Sequence, residues 1–248
     1  MPSPSEIGIK NNVANLEILI SYCTGYGAAY NPSKIAIKLP ALNTLFSESS
    51  ESFEVINNLL PAQTNAINTR NDVFSPLSKL ITRVVNAALA SDITSQTQKD
   101  VKSIAKKLQG KRASSTSPTT PDDPSTPEDE STQTNSSSQL GFDQRIESMD
   151  EFIQLLAAQP TYIPNEPELK VTALLTLLSN MRTTNTNAIN ANTPISNARI
   201  NRDVLVYAPD KGIVDIAKDF KSNIKSLFGA TSPQYKQVSK LKFTKKKK

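Results

Sequence analysis

KLPALNTLF (38–46) and KVTALLTLL (170–178) are the stretches on which the fold is read, because the second echoes the first at an offset of 132 residues. The same offset pairs Tyr30 with Tyr162, Pro32 with Pro164, Asn65-Ala66 with Asn197-Ala198, and Arg70 with Arg202. Pro61 and Pro194 fall one residue off that register. Towards the ends the offset grows to 137, where TSQTQKDVKSI (94–104) meets TSPQYKQVSKL (231–241). Matches in one order over a long span predict an internal duplication.

Between the copies lies ASSTSPTTPDDPSTPEDESTQTNSSSQ (113–139), rich in Ser, Thr and Pro and nearly free of apolar residues. Such a segment buries too little surface to offset its ordering entropy, so we read it as a disordered linker. Residues 113–145 hold Asp122, Asp123, Glu128, Asp129, Glu130 and Asp143 against Arg145 alone, within a chain of net charge +5. A flexible chain of this length has an end-to-end distance of roughly 30 Å, which lets the copies pack or part. Ser-Pro and Thr-Pro pairs in it make phosphorylation conceivable.

Each copy reads as helical. Ile213, Ile216, Ala217, Phe220, Ile224 and Leu227 recur at three- and four-residue steps, as do Leu77, Leu80, Ile81, Val84, Val85 and Ala88, and again Val101, Ile104, Ala105 and Leu108. That period is the mark of a half-buried helix, and no sustained two-residue alternation competes with it. The order expected in each copy is a first helix (13–24 or 146–158), a Tyr-x-Pro turn, a long second helix, and a last helix (76–90 or 210–228) followed by a basic segment. Proline at 61 and 194 is expected to kink the long helix or start a new one, with Thr193 as N-cap at the second site. The polar stretch NMRTTNTNAINANTP (180–194) is made of poor helix formers. Either it is a solvated helix held by packing elsewhere or it frays into a loop; we favour the helix.

The fold class expected is therefore all-α: two homologous antiparallel bundles of three to four helices in tandem, joined by a disordered linker. The domain bounds are an N-terminal extension 1–12, bundles at 13–112 and 146–243, the linker 113–145, and a basic tail 244–248.

Composition narrows the chemistry. The chain has no His and one Cys, so Ser-His-Asp and Cys-His catalysis, His-containing zinc sites, cysteine clusters and an internal disulfide are excluded. No phosphate-binding glycine loop is present; GYG at 25–27 lacks the strand context. Glu48, Glu51 and Glu54 share a helix spacing, but copy two has Asn180, Thr183 and Thr186 there, so a solvated face explains them better than acid–base work. Cys23 reads as a small buried hydrophobe. Tyr30 and Tyr162 read as rings packed over a bundle end, with ligand binding as the alternative. Arg70 and Arg202 read as helix-end charges or intrabundle hydrogen bonds, with an anion site as the alternative. We expect no enzyme activity, cofactor or metal.

The sequence shows no signal-peptide pattern and no apolar run long enough to cross a bilayer, so a soluble, cytoplasmic protein is expected. The feature that suggests a partner is the basic end of each copy: Lys99, Lys102, Lys106, Lys107, Lys111 and Arg112, and Lys236, Lys240, Lys242, Lys245, Lys246, Lys247 and Lys248. Clustered cations attract polyanions, while the alternative is a solvated lysine surface. With few Arg residues and few aromatics among these lysines, any nucleic-acid contact would be to phosphate, without sequence specificity. The function ranked first is a non-enzymatic scaffolding or self-association protein; the second is a polyanion-binding protein.

Overall fold

The computed structural model describes residues 4–110 and 141–245, with side chains from Glu6 onwards. The linker expected at 113–145 lies outside them up to residue 140, as do Lys111, Arg112 and Lys246 to Lys248. Among the described residues every regular element is helical.

Eight α-helices follow in order: α1 (Pro4–Tyr26), α2 (Leu39–Phe74), α3 (Leu77–Leu89), α4 (Ser95–Gln109), α5 (Phe142–Ala157), α6 (Val171–Tyr207), α7 (Ile213–Phe228) and α8 (Pro233–Ser239). Short 3-10 turns at Ile35–Ile37 and Pro167–Leu169 lead into α2 and α6. The expected stripes are buried in the main, but Leu227, expected on the α7 stripe, is 45 % exposed, and Leu80 and Val85 of α3 are only partly buried. In α7 Ile213, Ile216, Ala217, Phe220 and Ile224 face inwards; in α3 Leu77, Ile81, Val84 and Ala88 do. The ends follow local chemistry. The Thr94 hydroxyl accepts the Thr97 N–H at 3.2 Å, and the Ser232 hydroxyl accepts the Tyr235 N–H at 3.1 Å, each filling a donor that the helix start leaves unbonded. Gly110, at φ 65°, closes α4 in the left-handed region, where a side chain would be strained.

The prolines do not break the long helices. α2 runs through Pro61 and α6 through Pro194, 36 and 37 residues in all, about 54 Å each at 1.5 Å per residue. Proline frees the carbonyl four residues earlier, on Asn57 and Asn190. Both asparagines and both prolines are exposed, so water can take the freed carbonyl. The polar stretch 180–194 is helical as favoured, and buried positions explain it. Leu174, Met181, Ala188, Ile195 and Arg202 are buried at seven-residue spacing, as are Leu42, Ser49 and Ile56 in α2. A seam of period 3.5 survives polar neighbours because only one residue in each half-heptad must face inwards.

The chain forms two compact units, and they do not follow the tandem bounds. Unit 1 comprises residues 1–62 and 191–248; unit 2 comprises 63–190. The divisions fall inside α2 and α6, not at the linker. Unit 1 has a core of Ile9, Val13, Leu16, Leu19 and Cys23 from α1, Leu42 from α2, Val206 from α6, and Ile213 to Ile224 of α7 with Val238 of α8. Unit 2 has a core of Leu77 to Ala88 of α3, Val101 to Leu108 of α4, Met149 to Leu156 of α5, and Leu174, Leu178 and Met181 of α6. The first helix of one half thus packs with the last helices of the other. The divisions between the units fall within the two long helices, so α3 and α4 belong to unit 2 while α1 belongs to unit 1. The helix α1 begins within the stretch read as an extension, and Thr244 is held by side chains rather than lying in a tail.

Candidate functional site

The lysine sets occupy different units. Lys99, Lys102 and Lys106 project from α4 in unit 2, all exposed, because Val101, Ile104, Ala105 and Leu108 take the opposite face. Lys107 points to α5 and meets Glu151 at 3.6 Å. That pair edges a shallow groove of about 410 Å³ lined by Lys107, Gln144, Glu147, Ser148 and Glu151. Two carboxylates against one ammonium make it a poor seat for an anion. Lys236, Lys240, Lys242 and Lys245 lie in unit 1 and are exposed. Each described set is an array of hydrated ammonium groups, which can attract phosphate at low salt but fixes no geometry around it.

The recurring tyrosines do the same local work in both units. The Tyr30 hydroxyl donates to the Ile37 carbonyl at 2.5 Å, and the Tyr162 hydroxyl donates to the Leu169 carbonyl at 2.7 Å. Both bonds are buried and span seven residues, tying the turn to the 3-10 segment before the long helix. Burial raises the Tyr162 phenol to about 12 and pushes that of Tyr30 higher still. Cys23 is buried in the same core as Tyr30, and burial pushes its thiol up to about 11, which keeps it protonated and unreactive at neutral pH.

The recurring arginines are also used internally, with different partners. Arg202, 4 % exposed, donates from Nη1 to Glu6 at 2.7 Å and from Nη2 to Asp203 at 3.0 Å. Arg70 lies over the Phe142 ring at 3.7 Å and donates to Asn185 Oδ1 at 3.3 Å, while Asn185 Nδ2 donates to Asp143 at 2.7 Å. Phe142 meets Phe74 edge-on at 5.0 Å, and Arg145 sits 5.3 Å over Phe74 and donates to its carbonyl. Burial lowers the Arg145 guanidinium. Glu48, Glu51 and Glu54 are exposed, as the solvated-face reading has it. Among the described residues no group of three His, Cys, Asp or Glu side chains is placed to hold a metal ion, and no helix is long and apolar enough to cross a membrane.

Residues that the sequence reading passed over include Asn12, Asn15 and Asn185, while Arg145 counted there only as a charge. The signal for Asn12 was present: it occupies a position on the stripe Ile9, Val13, Leu16, where a buried polar group must have a partner. Compared with known proteins, the chain matches no family model, no curated protein and no solved structure.

Proposed function

We propose that this chain is a non-enzymatic interaction protein, a helical scaffold that self-associates, built from a duplicated helical segment whose two halves exchange elements. One observation carries the reading: the polar side chains that recur between the halves serve the fold itself. Tyr30 and Tyr162 hold equivalent turns, and Arg70 and Arg202 are bonded within their units. Recurring chemistry directed at structure is what a scaffold selects, because its product is a surface held in shape. The test is light scattering of the full chain over a concentration series. A mass rising above the 27.0 kDa monomer is expected; a constant 27.0 kDa would sink the reading.

The exposed α4 lysines support a second reading. Lys99, Lys102 and Lys106 share one face and form no ion pair with the described residues, leaving their charge available to a polyanion. In this reading the protein is cytoplasmic and binds nucleic acid through phosphate. Fluorescence anisotropy with duplex DNA should then show affinity falling steeply with salt and weakened in a Lys99, Lys102, Lys106 to Gln variant. Binding indifferent to those changes removes it.

A further inference from the structure

Residues 241–245 follow α8 without regular secondary structure, and the Leu241 N–H donates back to the Val238 carbonyl at 3.3 Å. Their anchors come from α1 and α7 in unit 1. Asn12, fully buried, grips Thr244 from both sides: its Nδ2 donates to the Thr244 carbonyl at 2.9 Å, and its Oδ1 accepts the Thr244 N–H at 2.7 Å. Asn15 donates to the Lys242 carbonyl at 2.8 Å. Lys221 donates to the Leu241 carbonyl at 2.5 Å and lies 5.4 Å over the Phe243 ring. Leu241 and Phe243, two residues apart, pack on the core, while Lys242 and Thr244 are exposed.

This is the way a groove reads an extended peptide. Side chains fixed on helices bond its main chain, and alternate residues fill apolar positions. The four main-chain bonds do not depend on which side chains the peptide carries. Leu241 and Phe243 supply the selectivity. The buried Asn12 amide would lose both partners if the groove stood empty, so occupancy is favoured over vacancy.

We propose that the groove between α1 and α7 binds an extended segment in trans, and that its occupant there is Leu241–Lys245 of a second copy of this chain. The choice of a second copy rests on the self-association reading; the groove itself rests on the geometry above. The chain's own segment occupies the same positions in cis and competes at the high effective concentration of a tethered ligand. The cis segment thereby shifts association to higher chain concentration without abolishing it.

The test uses the full chain carrying L241S and F243S, which weakens the cis segment and leaves Asn12, Asn15 and Lys221 in place. The probe is a fluorescein-labelled peptide of residues 239–248, SKLKFTKKKK, at salt high enough to screen its lysines. The variant should bind it roughly tenfold or more tighter than the wild-type chain does, since the competitor is gone. A peptide with both apolar residues changed to Ser, keeping every lysine, should lose that binding. A variant that retains its helical circular dichroism and melting transition yet binds no peptide overturns the groove, as does binding indifferent to the Ser changes. Should the variant not fold, the wild-type chain gives the answer at higher peptide concentration: saturable binding lost with the Ser peptide supports the groove, and its absence overturns it. Light scattering separates the two readings. A chain that self-associates but ignores the peptide overturns the groove and leaves self-association standing. A chain that binds the peptide and stays monomeric overturns the second copy as occupant.

Discussion

At the scale of single residues, the buried hydroxyls and guanidinium groups hold the turns and helix ends in place. Removing the Tyr162 hydroxyl leaves the Leu169 carbonyl without its bond, and a hydrogen bond of this kind contributes about 1 kcal/mol net. Tyr162→Phe should therefore lower the melting temperature by about 2–4 °C, and Tyr30→Phe should do the same; thermal circular dichroism checks both. Arg202 is buried with Glu6 and Asp203 on its two terminal nitrogens. Arg202→Ala removes the buried guanidinium and both of these ion pairs and should cost about 3 kcal/mol by urea denaturation. Alkaline pH acts on the same residues. Cys23 is raised from 9.0 to about 11 and Tyr162 from 10.0 to about 12, both through burial. Below pH 9 the folded and unfolded chains hold these protons alike. Between pH 9 and 12 the unfolded chain releases protons that the folded chain keeps, so stability falls as pH rises. Melting temperature should be insensitive to Cys23 and Tyr162 ionisation up to pH 9 and decline above it, and Tyr162→Phe should remove part of the decline between pH 10 and 12. The tyrosines and Arg202 were legible as recurring positions and Cys23 as a small buried hydrophobe, and the packed-ring reading of the tyrosines agrees with where they lie. Which carbonyl each hydroxyl reaches was not legible, because the partner is set by how the turn folds back.

At the scale of elements, periodicity carried most of the information. The α3, α4 and α7 stripes were visible because their apolar residues are unbroken by polar ones. The seams of α2 and α6 were obscured because Ser49, Asn185 and Arg202 sit among the buried positions. The new helix start expected at Pro194 is not made, for a definable reason: proline forbids one bond and crowds one carbonyl, and on an exposed face that is a cost rather than a stop. Since that cost is still present in α6, Pro194→Ala should restore the bond to the exposed Asn190 carbonyl and raise stability by about 1 kcal/mol or more. Urea denaturation of the full chain checks it; a loss of stability would mean that the proline geometry is needed by the seam.

At the scale of the whole molecule, each core draws on both sides of the 111–140 stretch or on both ends of the sequence. The unit 2 core holds Leu77 to Leu108 together with Met149 to Met181, and the unit 1 core holds Ile9 to Leu42 together with Val206 to Val238. Burial on this scale, at about 25 cal/mol per Å² of apolar surface, holds elements together without a covalent join. A chain carrying a specific protease site near residue 125 should, once cut, still elute on native size exclusion where the uncut chain elutes at the same concentration, and separate into fragments in denaturant. Fragments that part under native conditions would contradict the shared cores.

The sequence by itself determined the helical class and the apolar stripes of α3, α4 and α7, since each of these follows from contacts within a few residues along the chain; the cap expected at Thr193 is not made, because α6 runs through it. Only the tertiary structure decided which half supplies which wall of each core. A stripe of Ile, Val and Leu is satisfied by any apolar surface of matching shape, so the stripe alone does not say which helix covers it. The choice was made by the long helices α2 and α6, whose unbroken run carries the chain from one unit into the other. The same holds for the groove around Leu241 and Phe243. Its donors on α1 and α7 lie far apart in sequence, and only folding brings Asn12 and Lys221 to one peptide.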